Sequence, residues 1–233
     1  MVSNKNILIA QGGGPTNVIN QSLVGIIRQE KKYKSKILGS INGVNGIINN
    51  RFISLNKISE NDLKTIANTP GAALGSTRDK PDKKYCKEIL KILENKQISK
   101  FYYIGGNDSS DSLRIISEYA KDTKYKLQCI HIPKTIDNDL VCNDHTPGFG
   151  SAAKYVAQLF SGINYDVKSL PGVYLGIVMG RHAGFLTAAS SLLKKENDDG
   201  PNLIYIPESP FEMNTFLNQV KSIFNKYGRC VIA

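Results

Sequence analysis

Short apolar runs alternate along this chain with stretches whose apolar residues recur every three or four positions. The first run, residues 6–10, is short and unbroken, as expected of a strand buried on both faces. Gln11-Gly12-Gly13-Gly14-Pro15 follows, and then Ile19, Leu23, Ile26 and Ile27 fall on one face of a helix. A weaker strand is expected at 36–39 and a loop rich in Gly and Asn at 42–50, then a helix near 60–67. Residues 83–95 read as a helix with Ile89, Ile92 and Leu93 inward. A strand at 100–104 leads into a helix carrying Leu113, Ile116 and Tyr119, and 127–132 reads as a further strand. Beyond it the pattern predicts a helix over 151–163, a strand over 173–178 and a helix over 182–193. Strands at 203–206 and 229–233, joined by a helix over 210–225, complete the series. Regular alternation of this kind predicts a parallel sheet with helices on both faces.

Composition narrows the picture. A chain of 233 residues, 41% hydrophobic, can build one good core, or one domain and part of another. The net charge of +10 raises nucleic acid as a partner, but the lysines are scattered and no dense basic tract with interleaved aromatics occurs. The same positive field would steer a small polyphosphate. Cys86, Cys129, Cys142 and Cys230 form no C-x-x-C pair, which argues against a zinc site; Cys129 and Cys230 read as small buried hydrophobes. His131, His145 and His182 are too dispersed for a metal cluster. No signal-peptide core or membrane-length apolar run occurs, and the cytoplasm is the expected compartment. The last strand runs to the final residue, so the chain is expected to be incomplete, and inactive and poorly folded when expressed alone.

The chemistry lies in the loops after the strands. Pro133-Lys134-Thr135-Ile136-Asp137-Asn138-Asp139 follows a strand, where open α/β sheets place their ligands. Two carboxylates beside a threonine and a lysine suit removal of a hydroxyl proton next to a metal-bound phosphate; a polar turn with solvated caps is the alternative. Gly12-Gly13-Gly14 joins a strand to a helix, where free N–H groups and the helix dipole favour an anion, or where a tight turn is needed. It matches neither G-x-x-x-x-G-K-[ST] nor G-x-G-x-x-G. Gly105-Gly106-Asn107-Asp108-Ser109 repeats the design, with Asp108 or Ser109 as the helix N-cap. A carboxylate at a phosphate site is unexpected, so Asp108 reads as a cap, a magnesium ligand, or a device that rejects part of a larger nucleotide. Arg181, in Met179-Gly180-Arg181, could neutralise charge on a transferring phosphoryl group or cap a carbonyl at the surface. Arg78 is a further candidate phosphate clamp.

With these motifs, GGGPTNVIN at 12–20, GGNDS at 105–109, PKTIDND at 133–139, PGFGSA at 147–152, MGRHAG at 179–184 and IPE at 206–208, the chain resembles the phosphofructokinases, and within them the pyrophosphate-dependent branch. The resemblance implies an α/β fold, a Rossmann-like three-layer parallel sheet of phosphofructokinase type with its second domain incomplete. Residues 1–140 would bind the phosphoryl donor and 141–233 would begin the sugar-phosphate domain. It implies phosphoryl transfer from inorganic pyrophosphate to the 1-hydroxyl of fructose 6-phosphate with Mg²⁺, in a homo-oligomer when complete. By position, Asp137 would accept the hydroxyl proton, and Lys134, Arg181 and Asp108 would be the other catalytic groups. Thr135, Ile136, Asp137, Met179, Gly180 and Arg181 would contact the sugar phosphate; Gly12, Gly13, Arg78 and Lys134 the diphosphate; and Asn107, Asp108 and Asp139 would serve the metal.

ATP-using members carry glycine where this chain has Asp108, and a carboxylate there fills the nucleotide's room. The family usually has Asp where this chain has Asn107, which leaves that metal-associated position without a charge. The alternatives are an ATP-dependent phosphofructokinase, a diacylglycerol- or NAD-kinase-like enzyme, and a non-catalytic regulatory subunit or fragment of the family.

Overall fold

The computed structural model describes residues 6–233, which fall into two compact units meeting between Lys134 and Thr135. In the first, β1 (Asn6–Gln11), β2 (Lys36–Ser40), β3 (Phe52–Ser54), β4 (Ile98–Gly105) and β5 (Gln128–Pro133) form one sheet in the order β3-β2-β1-β4-β5. All pairings are parallel except β2 with β3. The helices are α1 (Ile19–Lys31), α2 (Gly43–Ile48), α3 (Glu60–Asn68), α4 (Lys83–Asn95) and α5 (Asn107–Asp122). Successive residues of β1 take opposite faces: Leu8 and Ala10 pack with α2, α4 and α5, while Ile9 packs with α1 and α3. This is the expected α/β sandwich of three layers. The chain leaves β1 towards β2 on one side and later pairs β4 on the other. The loops after β1 and β4 therefore flank the topological switch point, where such sheets hold ligands.

The Gly- and Asn-rich stretch expected to be a loop holds a short helix, α2, and a strand, β3, follows it. Asn42 and Gly43 both take the left-handed conformation (φ 63° and 62°), so Val44 and Ile47 can enter the core. A Cβ on Gly46 would lie 1.9 Å from the Ile41 carbonyl oxygen, so close approach of the backbone dictates that glycine. Glu30 on α1 is buried and receives Lys100 Nζ at 2.7 Å and the Tyr102 hydroxyl, tying α1 to β4.

The second unit contains α6 (Phe149–Ser169), β6 (Val173–Leu175), α7 (Phe185–Ala189), α8 (Met213–Tyr227) and β7 (Cys230–Ile232). β6 and β7 pair in parallel, and the strand expected at 203–206 is reduced to one bridge, Leu203 to Ile232. The strand expected over 173–178 stops at Leu175, the helix expected over 182–193 contracts to α7, and the one expected over 151–163 extends to Ser169. Val156, Phe160 and Val167 of α6 pack against Val231 and Ala233.

Asp199 joins α6 to the loop before residue 201. Its Oδ1 accepts from Asn164 Nδ2 (2.8 Å) and Lys168 Nζ (2.5 Å), and its Oδ2 from the amides of Lys195 and Glu196 (3.0 Å each). Lys168 first, and then those amides, hold its carboxyl well below the usual carboxylate range. A depressed carboxyl stabilises the fold above its unfolded pKa, and that contribution is lost as pH falls through the folded value. Asp199→Asn is expected to cost about 2 kcal/mol at pH 7, the scale of hydrogen bonds to a charged group. Thermal unfolding from neutral to strongly acidic pH checks this: the gap between wild type and variant should narrow on acidification below the ordinary carboxylate range.

Candidate active site

In the first unit, β1 delivers a chain of hydrogen bonds that fixes the loop before α4. Buried Gln11 donates from Nε2 to Asn20 Oδ1 (3.1 Å) and accepts from the Leu74 amide (2.9 Å). Asn20 accepts from the Ala73 amide (2.8 Å) and donates to the Thr69 carbonyl (2.9 Å). The same loop then meets the glycines: the Gly13 amide donates to Thr77 O (2.9 Å), and Ser76 Oγ donates to Gly13 O (2.5 Å). The Gly12 amide donates to Ile104 O (2.8 Å). The N–H groups of Gly12 and Gly13, expected to be free for an anion, are therefore engaged within the fold.

What surrounds the glycines is cationic. A Cβ on Gly13 (φ 76°) would lie 3.0 Å from Lys134 Nζ, and one on Gly14 would lie 3.4 Å from a terminal nitrogen of Arg78. Lys134 is buried, and its amide donates to Gly105 O (3.0 Å) while its carbonyl lies against Gly106. Gly12 is a packing glycine: a Cβ there would stand 2.6 Å from both Ser109 Oγ and the Tyr103 hydroxyl. Burial pushes that tyrosine up to about 12. His131 donates from Nε2 to Gly105 O (2.9 Å), and burial lowers its pKa, which favours the neutral ring.

α5 starts at Asn107 with Gly106 as its N-cap, so neither Asp108 nor Ser109 is the cap. Ser109 is buried between Gly12 and Gly105, and Asp108 sits in the first turn, where the helix dipole favours a carboxylate. Its Oδ2 lies 3.1 Å from Lys80 Nζ, a partner the sequence reading missed. The first unit thus gathers Gly12, Gly13, Arg78, Lys134, Asn107 and Asp108 around the ends of β1, β4 and β5.

The second unit carries the other candidates on two turns. The Asp137 amide bonds to Thr135 Oγ1 (3.2 Å). Asn138 is buried in the left-handed conformation (φ 60°); it donates to Asp144 O (3.2 Å) and accepts from the Thr146 amide (2.8 Å). Half-buried Asp137 and Asp139 therefore flank a stapled residue, not a loose turn. Asn138 had no assigned role in the sequence; asparagine's tolerance of positive φ was the available signal. Pro133 pairs with Gly105 at the end of the first unit, which closes at Lys134.

In the turn Met179-Gly180-Arg181, Gly180 has φ 130°, and a Cβ on it would be 2.2 Å from Ala183 O. Met179 and Arg181 are exposed. Glu208 Oε1 accepts from the Gly184 amide (2.8 Å) at the start of α7 and so anchors the end of that turn. A hollow of about 390 Å³ lies beside it, lined by Ile177, Gly180, Tyr205, Phe211 and Phe216 among others.

Among the described residues no three His, Cys, Asp or Glu side chains gather as a metal cluster, and no helix is long and apolar enough to cross a membrane. Cys86 and Cys230 are buried free thiols, Cys129 is half-buried and Cys142 is exposed.

Glycine loops lie at the switch point of a three-layer α/β fold, with buried Lys134 and exposed Arg78 beside them. The family description "Phosphofructokinase" matches residues 6–233, and the chain belongs to that family. A "Pyrophosphate--fructose 6-phosphate 1-phosphotransferase" of Rhodospirillum rubrum is 57% identical over 229 residues, covering 97% of this chain and 57% of the relative. A relative of the same name from Xanthomonas campestris pv. campestris is 39% identical, covering 99% of this chain and 57% of its own length. The crystal structure of a pyrophosphate-dependent phosphofructokinase from Marinobacter aquaeolei superposes with a TM-score of 0.84 at 36% identity, over 98% of this chain and 59% of that one. The chain spans somewhat more than half the length of these relatives.

Proposed function

We propose that this chain belongs to an enzyme that moves a phosphoryl group from pyrophosphate to the 1-hydroxyl of fructose 6-phosphate, yielding fructose 1,6-bisphosphate and phosphate. The observation that carries the donor is Asp108: a carboxylate stands in the first turn of α5, in the same unit as Lys134 and Arg78. Relatives named for pyrophosphate support the same reading.

In this scheme Lys134, a compact cation beside Gly13, and Arg78, a planar fork beside Gly14, hold the two phosphates. Asp137 takes the proton from the sugar hydroxyl as its oxygen forms the new bond to phosphorus. The bridging P–O bond breaks, and Lys134 receives the leaving phosphate. Arg181 offsets charge on the transferring group, while Thr135, Ile136, Met179 and Gly180 contact the sugar phosphate. Asn107, Asp108 and Asp139 offer only oxygen donors, which fits Mg²⁺ completed by phosphate oxygens and water. When bound, Mg²⁺ would supply positive charge to the phosphate oxygens. The activity is a glycolytic step, carried out in the cytoplasm by a homo-oligomer.

Parallel coupled assays of the full-length protein with pyrophosphate and with ATP test the donor. Turnover with pyrophosphate in clear preference to ATP is expected; preference for ATP overturns the reading.

A further inference from the structure

A carboxylate beside a diphosphate is a liability, because it repels the substrate it is meant to select. In the first unit that carboxylate has a cation of its own. Asp108 Oδ2 and Lys80 Nζ are 3.1 Å apart, and both side chains are more than half exposed. Neither end is placed by chance. The segment bearing Lys80 is fixed on one side by Gly13 N to Thr77 O and Ser76 Oγ to Gly13 O. On the other, Asp79 Oδ2 accepts from Asn45 Nδ2 (3.2 Å) and the Tyr85 hydroxyl (3.1 Å), and Asp82 caps α4 through the Tyr85 amide (2.8 Å). Asp108 stands on the first turn of α5, just after Gly105, whose carbonyl accepts from the Lys134 amide. Two anchored backbones thus present opposite charges to each other next to the loop that carries Arg78.

We propose that Lys80 is a positioning residue for donor choice: it holds the Asp108 carboxylate in the place from which it limits the donor to two phosphates, and offsets its charge towards pyrophosphate. This rests on the donor reading above. Without Lys80, an exposed carboxylate rotates freely. In some rotamers it leaves the room that a longer polyphosphate needs, and in all of them it faces pyrophosphate without the lysine's charge to offset it. Both changes lower the preference for pyrophosphate. The pair is exposed, so its contribution to fold stability is small and the effect lies in selectivity.

The test compares kcat/KM for pyrophosphate and for ATP in the full-length protein, in wild type, Lys80→Met, Lys80→Arg, Asp108→Gly and the Lys80→Met/Asp108→Gly double variant. Lys80→Met is expected to lower the pyrophosphate-to-ATP ratio roughly three- to fivefold, the scale of an exposed ion pair. The change should lie in donor KM more than in kcat, with the unfolding midpoint unmoved. Lys80→Arg should keep the wild-type ratio. In the Asp108→Gly background, Lys80→Met should lower the ratio no further, since no carboxylate remains to be held. A ratio unchanged by Lys80→Met overturns the proposal. So does an equal fall in both backgrounds, which would make Lys80 a direct donor contact. A wild type preferring ATP would overturn the donor reading itself, whereas the coupling between positions 80 and 108 is a ratio of ratios and reports on the pair with either donor.

Discussion

Asp137→Asn in the full-length protein should reduce kcat by about 10²–10⁴-fold, the usual worth of a positioned general base. The substitution is isosteric and removes the ability to accept a proton. The loop should survive it, because its geometry is set elsewhere: the Asp137 main-chain amide bonds to Thr135 Oγ1, and Asn138 is stapled to residues 144 and 146. The KM for fructose 6-phosphate should therefore move far less than kcat, and the acid limb of the kcat profile, where protonation disables the base, should disappear. Steady-state kinetics over a range of pH separates the alternatives. A variant that keeps kcat within about threefold of wild type is inconsistent with general-base work at this position.

Where local rules and tertiary structure agree, the sequence was easy to read. α1 follows its apolar spacing, with Ile19, Leu23, Ile26 and Ile27 all buried, and α4 spans the predicted residues. α2 was hidden because glycine and asparagine usually mark loops; here they supply a left-handed entry and a close backbone contact for a helix. The strands of the second unit were overestimated, since apolar runs such as 173–178 also occur where an extended segment pairs only in part. Residue 177 is almost fully exposed in that unit.

The site divides in the same way. Lys134 and the glycines were legible as residue types in strand-end loops, and Arg78 as a cation after a Gly-rich loop between two helices; the first unit does bring them near each other. The glycines' function was not legible, because it depends on which carbonyl each amide meets. Ile104 and Thr77 lie far from residues 12 and 13 in sequence, and they take the N–H groups that the motif offers. Gly12 answers to the bulk of Tyr103 and Ser109. Lys80 carried no local signal, and Glu208 was legible only as part of the IPE motif: each matters through one long-range contact, to Asp108 and to the Gly184 amide. The proposed anion site would consequently be one of side-chain cations more than of backbone donors, which would make it sensitive to single charge changes.

That sensitivity sets the second large effect. Asp108→Gly is expected to weaken pyrophosphate use and to give measurable ATP use. The change vacates the first turn of α5 and removes the carboxylate that fills the nucleotide's room. Asp108→Asn separates the two physical terms, because it keeps the bulk and removes the charge. Lys80 already offsets that charge, so size should dominate: Asp108→Asn should go on excluding ATP, while Asp108→Gly admits it. The switch in Asp108→Gly should be partial, because buried Lys134 remains beside Gly13 to receive a leaving phosphate, and Lys134→Gly added to it should reduce pyrophosphate use further. Measuring kcat/KM for both donors across the three variants decides the matter. ATP activity that stays undetectable in Asp108→Gly would show that this position does not select the donor. ATP activity of equal size in Asp108→Asn and Asp108→Gly would show that charge, not room, was doing the excluding.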